Sequence, residues 1–253
     1  MFSNEKTSDW FEKFTDQYKT AGELPKMLAL KKRHSRRVCE IACAIRESME
    51  WSEFGDDWLA YAIGLLHDVG RFPQYQQYQT FLDAASLDHG DEAERILSAQ
   101  FDWDGVPPTL KKHVVAAVKY HNKLEVPSSL PIVAYRWCAL ARDADKIDIF
   151  RMVQHRLENG TVAEMLPRHA EYEGLTPELV DEIRRNGRGS YKYAKSMQDF
   201  RLIQLTWGCD LNFAVSAVTL KSEDIFEKIA ADLRPWHIDD LLDTLLTRID
   251  AIG

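Results

Sequence analysis

Glycine and proline are scarce, at 12 and 9 of 253 residues. The chain therefore has few of the residues that build tight turns, which favours helices over a many-stranded sheet. No apolar run approaches the roughly 18 residues that a membrane-spanning helix needs. The N-terminal stretch MFSNEKTSDWFEKF carries acidic residues and lacks the apolar core of a secretory signal. Cysteine is confined to positions 39, 43, 138 and 209, with no CxxC pair. Cys39 and Cys43 share one helical face, which reads as small buried residues in a reduced protein rather than as a zinc site. A cytoplasmic, disulfide-free protein is the expectation. Positive charge is also short: 32 Lys and Arg stand against 40 Asp and Glu, a net charge of −8. That balance argues against a nucleic-acid partner, which needs a basic footprint. It leaves room for a small phosphate ester held by a local cation or metal.

What the chain does have is helical periodicity. Residues 8–19 carry Trp10, Phe11, Phe14 and Tyr18 on one side, with Ser8 as an expected cap. This aromatic face can serve the chain's own core or a homodimer. A helix is expected over about 25–50, with Met27, Leu30, Val38, Ile41 and Ile45 at three- and four-residue steps and His34 on the same stripe. A shorter apolar helix covers 56–68 and ends in His67-Asp68. Residues 71–88, broken by Pro73, read as a long loop with aromatic anchors. Helices follow over about 90–100, 109–121 and 132–157, then near 163–170, 176–186, 196–218, 223–232 and 237–251, with a turn at 186–190. One domain is expected over 1–253, its core about 25–157 and its helical extension about 160–253.

The chemistry lies in the order His34, His67-Asp68, His89, His121, Asp145. Imidazole nitrogen and carboxylate oxygen are the donors that zinc, manganese, iron and related cations take. An adjacent His-Asp at a helix end brings two such donors to one place. His34 on an apolar face, and His121 at the apolar end of another helix, can point inward to meet them. A divalent ion held there would lower the pKa of its bound water from 15.7 to about 7.

The stretch Leu65-Leu66-His67-Asp68-Val69-Gly70-Arg71-Phe72 resembles the signature of the HD-domain metal-dependent phosphohydrolases. The upstream His34-Ser35-Arg36-Arg37-Val38 and the closing Asp143-Ala144-Asp145-Lys146-Ile147-Asp148 are similar to that family's flanking segments. Asp88-His89-Gly90 and Tyr120-His121-Asn122 are similar to the additional histidines of its two-metal members, and 207–213 to the C-terminal part of some bacterial members. The resemblance implies an all-α fold, an HD-domain helical bundle with additional C-terminal helices. It implies His34, His67, Asp68 and Asp145 on a first divalent metal, and Asp68 bridging to a second held by His89 and His121. Asp145 is preferred to Asp143 because it precedes a basic residue. One or two ions are implied, with Mn, Mg, Fe, Ni, Co and Zn not distinguished. Asp68 and Arg71 would act in catalysis, and Arg71, Lys146 and Arg37 would meet the phosphate of a small phosphorylated substrate, a nucleotide for preference. His89 is not followed by the Gly-Tyr-Pro of the cyclic-di-GMP phosphodiesterases, and Asp148 stands where guanosine tetraphosphate hydrolases carry a histidine. Within the same family, the alternatives are a di-iron oxygenase and a regulatory module that binds nucleotide or metal without turnover.

Overall fold

The structure, a computed structural model, describes residues 2–51, 55–162 and 172–252. It is all-α, and no strand forms among the described residues; Thr20 and Glu23 make an isolated bridge. No helix among them is long and apolar enough to cross a membrane. All four cysteines are free. The chain divides into two compact units, 1–145 and 146–253.

The first unit begins with α1 (Asn4–Asp16), capped by Ser3, whose side chain accepts from the Lys6 amide. The expected cap, Ser8, lies inside the helix, because the first turn forms earlier, among polar residues that carry no hydrophobic period. Phe11 and Phe14 are buried and pack edge-on against Phe72, so this aromatic face is spent on the core. Two helices follow, α2 (Lys26–Glu47) and α3 (Asp56–Leu66). The buried stripe of α2 runs through Leu28, His34, Ser35, Val38, Cys39, Ala42 and Ile45. Met27, Leu30 and Ile41, expected on that stripe, are half-buried. The two helices approach closely at Gly64, where an added Cβ would sit 2.6 Å from the Cys39 Cα.

Residues 71–78, expected as loop, form a helix, α4 (Arg71–Tyr78). Pro73 fits because it occupies the first turn, where amide hydrogens have no partner within the helix. Gly70, just before it, lies against α5 (His89–Gln100). Asp88 caps α5 by accepting from the amides of Gly90 and Asp91. Next come α6 (Pro108–Tyr120) and α7 (Ile132–Glu158); the division into units falls within α7, after Asp145.

The second unit contains the remainder of α7, then α8 (Pro177–Asn186), α9 (Met197–Gly208), α10 (Ala214–Ser222), α11 (Ile225–Leu233) and α12 (Asp239–Asp250). The helix expected near 163–170 lies outside the described residues. The single helix expected over 196–218 is two helices, broken after Gly208 where Asp210 and Asn212 favour turns. Phe150 packs edge-on against Trp207 and Phe226. Buried Arg201 donates to Gln154 and Asp232. Ser196 and Asp199 form a capping box at the start of α9.

Candidate metal centre

The first unit brings His34, His67, Asp68, His89, His121 and Asp145 together. Three overlapping sets, His34/His67/Asp68, His67/His121/Asp145 and Asp68/His89/His121, each place one donor atom per residue within 4.8 Å of the others. The first five residues are buried, and the Asp145 side chain keeps 22 % exposure. The six reach the centre from five places in the fold, His67 and Asp68 together from the end of α3. His34 lies on the inner face of α2. His67 and His121 cap the C-terminal ends of α3 and α6. His89 opens α5, and Asp145 comes from α7.

Asp68 is the hub. Its Oδ2 lies 3.5 Å from both His34 Nε2 and His67 Nε2. Its Oδ1 lies 3.5 Å from His89 Nε2 and 3.7 Å from His121 Nε2. The two histidine pairs are themselves close, 3.2 Å between the Nε2 atoms of His34 and His67 and 3.1 Å between those of His89 and His121. Asp145 Oδ1 is 3.0 Å from His34 Nε2 and 3.8 Å from His67 Nε2. These distances place a carboxylate oxygen of Asp145 beside the His34/His67 pair.

The outer nitrogens decide which way the rings are wired. His67 Nδ1 donates to the Gly64 carbonyl at 2.8 Å, and His121 Nδ1 to the Val118 carbonyl at 2.7 Å. His89 Nδ1 donates to Asp83 Oδ2 at 2.6 Å. The Gly64 and Val118 carbonyls and the Asp83 carboxylate accept these bonds, and Asp83 is nearer to His89 Nδ1 than is the Asn122 amide at 3.2 Å, so in the neutral ring the inner Nε2 carries a lone pair. Burial pushes the His67 imidazole down, and burial with the Arg71 charge pushes His89 down to about 4. Imidazole nitrogens and carboxylate oxygens thus converge within 4.8 Å of one another. That is the donor set a divalent cation takes, so the residues fit such an ion.

Burial works against ionisation of Asp68, but Lys31, His67 and His121 outweigh it and hold the carboxyl well below the ordinary range. For Asp145, burial is likewise outweighed, by His34 and His67.

The cations distribute differently from the sequence expectation. Lys31 was not among the expected residues, yet its Nζ lies 2.7 Å from Asp68 Oδ2. Its spacing of three from His34 puts both on one helical face, a signal available in the sequence. Arg71 Nε lies 3.5 Å from Asp68 Oδ1, but its Nη1 is committed to Gln74 Oε1, the Phe81 carbonyl and Asp83 Oδ1 at 2.6–2.9 Å. Lys146 begins the second unit and pairs there with Asp210 at 2.7 Å. Arg37 is half-buried on α2.

The HD domain family model matches residues 32–252 of the chain. No curated protein and no solved structure matches it.

Proposed function

The chain belongs to the HD domain family, and on that premise we propose that it is a metal-dependent phosphohydrolase acting on a small phosphate ester, a nucleotide for preference. The family indicates a superfamily of largely metal-dependent hydrolases; the reaction and the substrate are our reading. The observation that carries it is the division of Asp68, with Oδ2 beside His34 and His67 and Oδ1 beside His89 and His121. Two oxygens on one carboxylate can each face one cation. We assign His34, His67, Asp68 and Asp145 to one ion, and Asp68, His89 and His121 to a second. Bound divalent ions supply water activation at neutral pH and charge to offset the phosphoryl oxygens.

The chain's own residues do the rest. Asp68 holds the two halves of the centre in register. His67 and His121 cannot rotate without breaking their bonds to the Gly64 and Val118 carbonyls. Phosphate needs positive charge around its free oxygens. Lys31 stands nearest to Asp68 and is our first choice for that contact, ahead of Arg37 and Lys146, because Arg71 Nη1 is committed to Gln74, Phe81 and Asp83.

The test is elemental analysis of the purified protein beside the His67→Ala/Asp68→Ala double variant, with phosphomonoesters and phosphodiesters assayed under added Mn, Mg, Ni and Co. Bound metal and hydrolysis that are both lost in the variant support the reading. A wild-type protein that takes up no metal under any loading condition ends it.

A further inference from the structure

His89 and Arg71 each stand between the same two carboxylates. His89 Nε2 faces Asp68 Oδ1 at 3.5 Å while its Nδ1 donates to Asp83 Oδ2 at 2.6 Å. Arg71 Nε faces Asp68 Oδ1 at 3.5 Å while its Nη1 donates to Asp83 Oδ1 at 2.7 Å. The four residues close a ring. Asp83 is further tied by Gln74 Nε2 at 2.8 Å and Asn122 Nδ2 at 3.1 Å. Gln74, itself fully buried, also donates to the Ser86 hydroxyl and the Leu87 carbonyl. A short segment between α4 and α5 is thereby fastened to α4, α5 and the end of α6 through one carboxylate.

His67 and His121 differ from His89 in this respect. Their outer nitrogens are held by main-chain carbonyls, whereas that of His89 is held by a charged side chain. A carboxylate behind an imidazole fixes the ring and raises its basicity as a ligand.

We propose that Asp83 is a positioning residue for the His89 half of the centre, that Arg71 serves it by holding Asp83 rather than by meeting substrate, and that this pair sets the affinity of the second ion independently of the first. The inference rests on the two-ion reading above.

The experiment is a Mn2+ titration of the full chain by calorimetry, with elemental analysis after gel filtration, on the wild type, His89→Ala, Asp83→Ala, Asp83→Asn and Arg71→Gln. Wild type is expected to take two equivalents and His89→Ala one. Both Asp83 variants should bind the first equivalent within about threefold of wild type and the second 10–100-fold more weakly, the range typical for loss of such a partner. Arg71→Gln should weaken the same equivalent, by less. The melting temperature of each variant without added metal shows whether it folds, and Asp83→Asn keeps the side-chain volume should Asp83→Ala fail. Two equivalents of wild-type affinity in both Asp83 variants would overturn the role of Asp83 and leave the metal centre standing. A wild type that binds no ion, or a His89→Ala variant that binds as wild type does, overturns the two-ion reading and this inference with it.

Discussion

Lys31 Nζ lies 2.7 Å from Asp68 Oδ2, the carboxylate oxygen that also faces His34 and His67. One cationic side chain therefore reaches the place where donor atoms of the centre converge. Lys31→Met is expected to raise KM for a phosphate ester roughly 10–100-fold, in line with about 1.5–3 kcal/mol for a hydrogen bond to a charged group. Metal content should be retained, and Lys31→Arg should recover part of the loss. A KM that stays put while only thermal stability changes would remove Lys31 from substrate contact.

Gly70→Ala should be among the most damaging small substitutions in the first unit. A Cβ there would lie 2.1 Å from the His89 carbonyl oxygen and 2.9 Å from the Ala93 nitrogen. Both are backbone atoms of α5 and cannot swing aside, so α4 and α5 must separate. A cost of about 3 kcal/mol follows, at the upper end of ordinary overpacking, and His89 shifts with its helix. Chemical denaturation gives the first number, and Mn2+ binding reports the second. Gly22→Ala, at a positive φ with open space around it, should cost less, about 1–2 kcal/mol from backbone strain alone.

In the second unit, Asp199→Ala removes acceptors for the Thr176 amide at 2.7 Å, the Thr176 hydroxyl at 2.7 Å and the Lys195 amide at 2.9 Å. Asp199 and Thr176 are both buried, so the Thr176 amide and hydroxyl are left without a partner. The expected loss is about 2–4 kcal/mol, counting the donors and the capping box together. Asp199→Asn, which keeps one acceptor oxygen, should cost less. Urea midpoints of the three proteins decide it.

Tyr18 gives the stability an alkaline limit. Burial against Phe14 and Phe72, with Glu92 nearby, pushes its phenol up to about 12 from an ordinary 10. Because the folded pKa is the higher one, its contribution is complete below pH 10 and is lost as pH rises from 10 towards 12. Two units correspond to at most about 2.7 kcal/mol, reduced because the ring is only half-buried. Tyr18→Phe should flatten the fall in denaturation midpoint over that interval; an unchanged slope would assign the fall to other groups.

The helices around the centre were largely legible because they are apolar on one side and carry their ligands at face or end positions. The His67-Asp68 pair stands at the end of α3, and His121 at the end of α6, where a helical reading of Leu65-Leu66 and Val118 puts them. Asp83 was not legible. It sits in a connecting segment without periodicity, and its role depends on Gln74 from α4, His89 from α5 and Asn122 from just beyond α6. Pro73 misled the reading of α4, since proline breaks a helix interior yet is tolerated in a first turn. The break between α9 and α10 was hidden for the opposite reason: apolar residues continue on both sides of Gly208, so the period outweighed the turn residues.

The bonds from His67 and His121 to the carbonyls of Gly64 and Val118 have a consequence for heredity. Those acceptors belong to the main chain, which every amino acid supplies alike. While α3 and α6 end where they do, no side-chain replacement at positions 64 or 118 deletes them. The orientation of these two rings is thus inherited with the fold. The acceptor behind His89 is a side chain, open to loss or repair by one codon change at position 83. Among descendants of this sequence, the two ends of the centre would drift at different speeds, with His89 and its neighbours the first to vary.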